Sequence, residues 1–159
     1  MILLRRSRSF ALAAVLLAAG CGERSLDKHL SDAAATGNVR EINTLLARGA
    51  NVNCRDRSTA AWTPLFWSIF EHQDGAALAL LAAGADPNLR DGTGKKAMSY
   101  AIGPGDRSAL IRALITAGAN TKECAVAFEH LPRSDPNRIA FEETLRLRSK
   151  NPQSVEGQK

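Results

Sequence analysis

Arg48-Gly49-Ala50-Asn51-Val52-Asn53 recurs as Ala83-Gly84-Ala85-Asp86-Pro87-Asn88 and again as Ala117-Gly118-Ala119-Asn120-Thr121-Lys122. An apolar pair stands just before each copy: Leu45-Leu46, Leu80-Leu81 and Leu114-Ile115. Counted from glycine to glycine, the spacing is 35 and then 34 residues, a period that marks a stacked repeat protein. Each unit of such a stack buries its apolar face only against its neighbours, and the array presents an extended surface in place of a closed pocket. The reading therefore starts from macromolecular recognition rather than from catalysis.

Outward from these phrases, each unit reads as two helices and a loop. In the first, the small Ala33-Ala34 pair lets an inner helix pack closely, and Gly37 ends it because glycine freely takes positive φ. Ile42, Leu45 and Leu46 then fall at i, i+3 and i+4, one face of an outer helix. In the second, Thr63 is placed to cap and Pro64 to occupy the first helical position, where its missing N–H costs nothing. Trp67 and Ile69 are large for an inner helix, and Ala76, Ala77, Leu80 and Leu81 form the outer stripe. In the third, Lys96 to Ile102 makes the inner helix and Leu110, Ile111, Leu114 and Ile115 the outer one. Gly103-Pro104-Gly105-Asp106 is the turn between them.

Residues 27 to 122 resemble ankyrin repeats. The resemblance rests on Leu30 to Asn53, on Thr63-Pro64-Leu65-Phe66 where the family has Thr-Pro-Leu-His, and on the three Gly-Ala-Asn/Asp phrases. It implies an all-α ankyrin-repeat solenoid. The repeats are expected over 27–56, 57–91 and 92–122, the third degenerate. A helical cap is expected over 123–149, opened by Asp135-Pro136 and carrying Ile139, Phe141, Leu145 and Leu147. Phe66 replaces the family histidine that clamps the turn, and His72 stands where glycine usually ends the inner helix. Residues 150–159 are polar and expected to be disordered.

The start of the chain obeys a different grammar. Arg5, Arg6 and Arg8 precede the uncharged apolar run Phe10 to Ala19, too short to span a bilayer and proportioned like a secretory signal peptide. Leu17-Ala18-Ala19-Gly20-Cys21 resembles the lipobox of bacterial lipoproteins. That resemblance implies cleavage after residue 20, lipidation of Cys21, a short tether over 21–26 and a place in the cell envelope. Gly22, not Asp, follows the cysteine, which favours the outer membrane facing the periplasm. The formal charge of +5 includes three signal arginines, so the remaining chain carries +2. No basic stripe interleaved with aromatics remains, and nucleic acid is not an expected partner.

Chemistry-bearing residues are sparse. Cys54 and Cys124 lie two repeat layers apart, roughly 20 Å at ordinary helix spacing, whereas a disulfide needs Cα atoms within about 7 Å. Cys124 reads as a small buried residue, and Cys54, in a loop, as the better candidate for a free thiol. His29, His72 and His130 have no metal-ligand spacing, and Asp86, Asp91 and Glu71 form no acid–base pair. No catalytic residue, cofactor or metal is expected. A redox role for Cys54 is a minor alternative, since no resolving cysteine lies beside it.

In the ankyrin family, partners are usually held by the residue before Thr-Pro, by two residues near the inner-helix end, and by the finger loops. Carried onto this sequence, the resemblance implies Trp62, Phe70 and Glu71 in the middle repeat and Ala35 and Thr36 in the first. The fingers run from Arg55 to Ala60 and from Arg90 to Lys95. Trp62 and Phe70 are either exposed anchors or rings packed on one another; both readings stay open. Arg57, Arg90 and Lys95, with Arg55 and Lys96, line the finger side as a solvated face or a match for an acidic partner. The expected function is a monomeric, membrane-tethered adaptor for another protein, such as an envelope protein. The alternative is an immunity protein that inhibits a toxin or enzyme in the periplasm.

Overall fold

The computed structural model describes residues 25–150. The expected signal peptide, Cys21 and residues 151–159 lie outside the described residues. Eight helices follow one another: α1 (25–36), α2 (Val39–Ala47), α3 (Pro64–Phe70), α4 (Asp74–Ala82), α5 (Ala97–Ala101), α6 (Ser108–Thr116), α7 (Ala125–Glu129) and α8 (Pro136–Lys150). Ser25 and Leu26, expected in the tether, already belong to α1, and Leu26 packs against the core. The chain is an all-α stack of helix pairs. Outer helices pack in series, α2 on α4, α4 on α6 and α6 on α8, while α3 packs on both α4 and α5. Most of these helices are shorter than a peptide needs to hold helix in water, so burial between layers stabilises them. The core runs through every layer from Leu30 and Ile42 past Leu80 and Leu114 to Phe141.

The recurring phrase acts as a polar clasp between layers. Its first Asn or Asp accepts from the amide two residues on: Asn51 from Asn53, Asp86 from Asn88, Asn120 from Lys122, at 2.8–3.1 Å. The closing Asn reaches forward. Asn53 Oδ1 accepts from the Asp86 amide (2.8 Å) and Asn88 Oδ1 from the Asn120 amide (2.7 Å). Asn88 Nδ2 also donates to the Gly118 carbonyl (3.0 Å). Lys122 stands at the last such position, where an amide side chain would be needed to continue the series.

Helix ends follow the expected chemistry. Thr63 Oγ1 accepts from the Phe66 amide, with Pro64 behind it. Gly37 ends α1 at φ 74°, and His72 takes the same role after α3 at φ 55°, a conformation that costs a side-chain-bearing residue on the order of 1 kcal/mol. One buried charge escaped the sequence reading. Arg107, 4% exposed, pairs with Asp74 and donates to the carbonyls of Ile69 (3.1 Å) and Tyr100 (3.2 Å), tying α3, α4 and α5 together.

The cap differs from expectation in register. Asp135 accepts from the Asn137 and Arg138 amides and opens α8, and Phe141 stacks on Phe128 of α7 at 4.1 Å. Buried Asn137 accepts from the Arg107 amide (2.8 Å) and donates to the Gly105 carbonyl (2.8 Å). With Asn137, Ala140 and Phe141 turned inward, Ile139 falls about 160° from Phe141 at about 100° per residue and is 39% exposed. Leu147 lies on the side of Ala140, seven residues on, yet is 64% exposed close to the end of α8.

Candidate binding surface

Two aspartates shape the concave side. Asp56 Oδ1 accepts from the Ser58 amide (3.2 Å), the Ser58 hydroxyl (2.7 Å) and the Trp62 amide (3.1 Å), and its Oδ2 accepts from the Trp67 indole (3.1 Å). In the next layer, Asp91 Oδ1 accepts from the amide and hydroxyl of Thr93 and from the Lys95 amide, at 2.8–2.9 Å. Its Oδ2 accepts from the Tyr100 hydroxyl at 2.5 Å. Asp56 and Asp91 are 35 residues apart, as are Ser58 and Thr93. Each carboxylate closes its own finger and fixes an aromatic ring of the following inner helix. The repeated Asp-x-Ser/Thr was legible as a turn signal; its use as a clamp on Trp67 and Tyr100 needed the fold.

Burial pushes the Asp91 carboxyl up, but the four hydrogen bonds outweigh it and hold the pKa at about 2, below the ordinary 3.8. The Tyr100 hydroxyl is raised by burial and by the same carboxylate. Below them the fingers touch through backbone: the Gly92 amide donates to the Ala60 carbonyl at 2.6 Å.

The clamped rings make a platform. Trp62 lies 4.8 Å from Trp67, 4.7 Å from Phe70 and 5.8 Å from Tyr100, centroid to centroid. These are tilted and edge-on pairs in the favourable range. The rings of Trp62 and Phe70 pack on one another, yet Phe70 stays 50% exposed and Trp62 half-buried. Glu71 follows Phe70, exposed, at the C-terminus of α3. Lys95 sits 5.7 Å from the Tyr100 ring centre, within cation–π reach. Ala35 and Thr36 are the corresponding α1 residues, half-buried and exposed.

The basic residues of the fingers separate into two groups. Arg57 is exposed and makes no ion pair among the described residues. Arg90 departs from its expected role as a finger charge available to a partner. It forks onto Glu123 at 2.7 and 3.4 Å and donates to the Gly94 carbonyl. Lys96, 7% exposed, joins the same carboxylate at 2.9 Å, and these two cations hold the Glu123 carboxyl below its usual range. Arg55 donates to the carbonyls of Ala61 and Arg90. The backbones of Arg90 and Lys96 also form an isolated antiparallel bridge, which closes the second finger.

Between α1 and the first finger runs a groove of about 610 Å³. Ala35, Cys54 and Trp67 line it, with Lys28, Asp32 and Arg57 also in its walls. Cys54 is free, as expected, but it is buried and does not suit the redox alternative. The residue is 7% exposed, its thiol lies 3.9 Å from the Ser31 hydroxyl, and burial drives its pKa up to about 11. A redox thiol needs the opposite, exposure and a lowered pKa. Cys124 is buried and free, as is Cys54.

No family model matches the chain. Among curated proteins, the bovine mitochondrial disaggregase is 46% identical over 67 residues, 42% of this chain and 10% of that protein. The human mitochondrial disaggregase is 42% identical over 65 residues, 41% of this chain and 9% of its own length. The ankyrin repeat and LEM domain-containing protein 1 homolog of Caenorhabditis elegans is 41% identical over 75 residues, 47% of this chain and 10% of that protein. The chain spans about a tenth of the length of these relatives. Together with the stacked helix pairs, these similarities identify the array as an ankyrin-like helical repeat fold.

Proposed function

We propose that this ankyrin-like stack is a protein-binding module whose partner docks on the concave side at the middle repeat. The observation that carries the reading is the aromatic platform of Trp62, Phe70 and Tyr100. It is partly open to solvent; Asp91 holds the Tyr100 hydroxyl, and Asp56 holds the Trp62 amide and the Trp67 indole against which the Trp62 ring packs. Rings ordered before binding lose little freedom on association, and large aromatic side chains in such positions dominate interface energies. Exposed Glu71, Arg57 and Lys95 flank the platform as a polar rim. The burial of both thiols speaks against the thiol redox alternative.

In this reading acylated Cys21 holds the module in the bacterial envelope.

 Replacing Cys21 with Ser should abolish incorporation of labelled palmitate and release the chain from the membrane fraction. Persistent labelling would refute Cys21 as the acceptor.

The docking surface is tested by capture from envelope extracts followed by mass spectrometry, with Trp62→Ala and Phe70→Ala alongside. Loss of both rings should weaken a captured partner by about 2 kcal/mol or more. Undiminished capture would refute the platform as the docking surface. If the captured partner is an enzyme or toxin silenced by the complex, the module is an inhibitor; if its activity persists, the module is an adaptor.

A further inference from the structure

The groove beside α1 arises from a difference between successive repeats. In the 35-residue register, Asp27, Asp32 and Ala35 stand where the middle repeat has Trp62, Trp67 and Phe70. The middle repeat therefore fills its concave face with three rings, while the first offers two carboxylates and a methyl group. The space left over is the groove of about 610 Å³, and the Trp67 ring, itself edge-on to Trp62, forms one of its walls. Groove and platform are thus continuous.

Most charges around the groove are already used. Asp27 accepts from the Asn51 amide (2.7 Å), and Asp32 pairs with Lys28 (3.6 Å). Arg55 donates to two backbone carbonyls, and Asp56 is taken by its own finger and the Trp67 indole. The lining carries three aspartates and three cations, so the groove is neutral overall; Arg57 is the lining charge that has neither an ion pair nor a side-chain hydrogen bond among the described residues.

We infer that the groove is a socket for an extended peptide segment of a partner protein, which seats one apolar side chain over Ala35 against the Trp67 ring and sets a neighbouring acidic side chain on Arg57. This rests on the proposed function, of which it names the ligand chemistry. An apolar side chain displaces water from a floor built of Ala35, Cys54 and Trp67, and a carboxylate supplies the counter-charge that the protein itself does not. The socket also shifts the centre of recognition toward the first repeat, with the Trp62–Phe70 platform as its continuation.

The test uses short random peptides displayed on phage and selected against the full chain in detergent. Enriched peptides are then synthesised with a fluorescent label and titrated by anisotropy against variants. Ala35→Phe fills the groove with the ring that the next repeat already carries, and Arg57→Glu reverses the rim charge. The expected result is enrichment of an apolar residue beside an acidic one, with affinity reduced at least about tenfold by either variant. Should Ala35→Phe fail to fold, the exposed Arg57→Glu variant still decides the outcome. Peptides without an acidic residue, or with affinity unchanged in Arg57→Glu and in a folded Ala35→Phe, overturn the socket. If those same peptides weaken only on Trp62→Ala and Phe70→Ala, the socket falls while the platform reading stands. If none of the four variants affects binding, both fall.

Discussion

Replacing Asp91 with Asn should remove a measurable part of the acid sensitivity of this fold. The carboxylate is 6% exposed and accepts from the Thr93 amide, the Thr93 hydroxyl, the Lys95 amide and the Tyr100 hydroxyl. Its folded pKa of about 2 lies below the ordinary 3.8. A lowered acid stabilises the fold at pH values above its unfolded pKa, and that stabilisation drains away as pH falls toward the folded pKa. At about 1.4 kcal/mol per unit, the difference corresponds to about 2 kcal/mol, present in full above pH 5 and lost toward pH 2. Asn keeps the size of the side chain but cannot ionise, so it forfeits this contribution at every pH. Urea unfolding of both proteins at a series of pH values, followed by circular dichroism and by the fluorescence of Trp62 and Trp67, measures the gap directly. The gap should be about 2 kcal/mol near neutrality and should close as pH falls from about 4 to about 2. A gap that stays constant across this range would mean that Asp91 is not held by charge, and the clamp argument would fail.

Three further outcomes follow from the same contacts. Arg107→Ala leaves Asp74 and two backbone carbonyls without their donor inside the stack and should cost about 3–5 kcal/mol in urea unfolding; a loss under about 1 kcal/mol would show that water replaces the guanidinium. Gly92→Ala would put its Cβ 1.9 Å from the Thr59 carbonyl oxygen, so the two fingers must part. Amide exchange at residue 92, which donates to Ala60, should accelerate markedly in that variant, and unchanged protection would contradict the close approach. Cys54, with its thiol at about 11 and 7% exposed, should react with a thiol reagent at pH 8 only after unfolding; rapid labelling of the native chain at Cys54 would revive the redox reading.

The repeats do their structural work with a few polar side chains, and those side chains explain why the middle of the array is the most developed surface. Asn53 and Asn88 hold successive layers in register, and Asp56 and Asp91 fold each finger back onto the helix that follows it. Because each finger is closed from within, the rings attached to those carboxylates are set before any partner arrives. Exposed Phe70 is then an addition to a rigid surface, unlike a loose apolar side chain on a loop.

Much of this was written in the period of the sequence. A 35-residue spacing, apolar pairs ahead of each Gly-Ala-Asn/Asp phrase, and Thr63-Pro64 at a helix start determine stacked helix pairs, because short amphipathic helices have nowhere to bury their faces except on the next copy. The 35-residue register also placed His72 at the helix end where Gly37 stands one repeat before, and both are left-handed there. Periodicity is silent about contacts between residues far apart in the chain. That is why Arg90 read as an available charge until the fold brought Glu123 to it, and why Cys54 read as a loop thiol until α1 covered it. The same limit applied to α8, whose inward face was set by Phe128 and by the backbone around Arg107 rather than by its own apolar spacing. The sequence by itself determined the units and their order, since these depend on local pattern. Only the tertiary structure decided which polar groups are consumed between layers, because their partners lie far apart in the chain: Glu123 takes Arg90, while Arg57 makes no ion pair among the described residues.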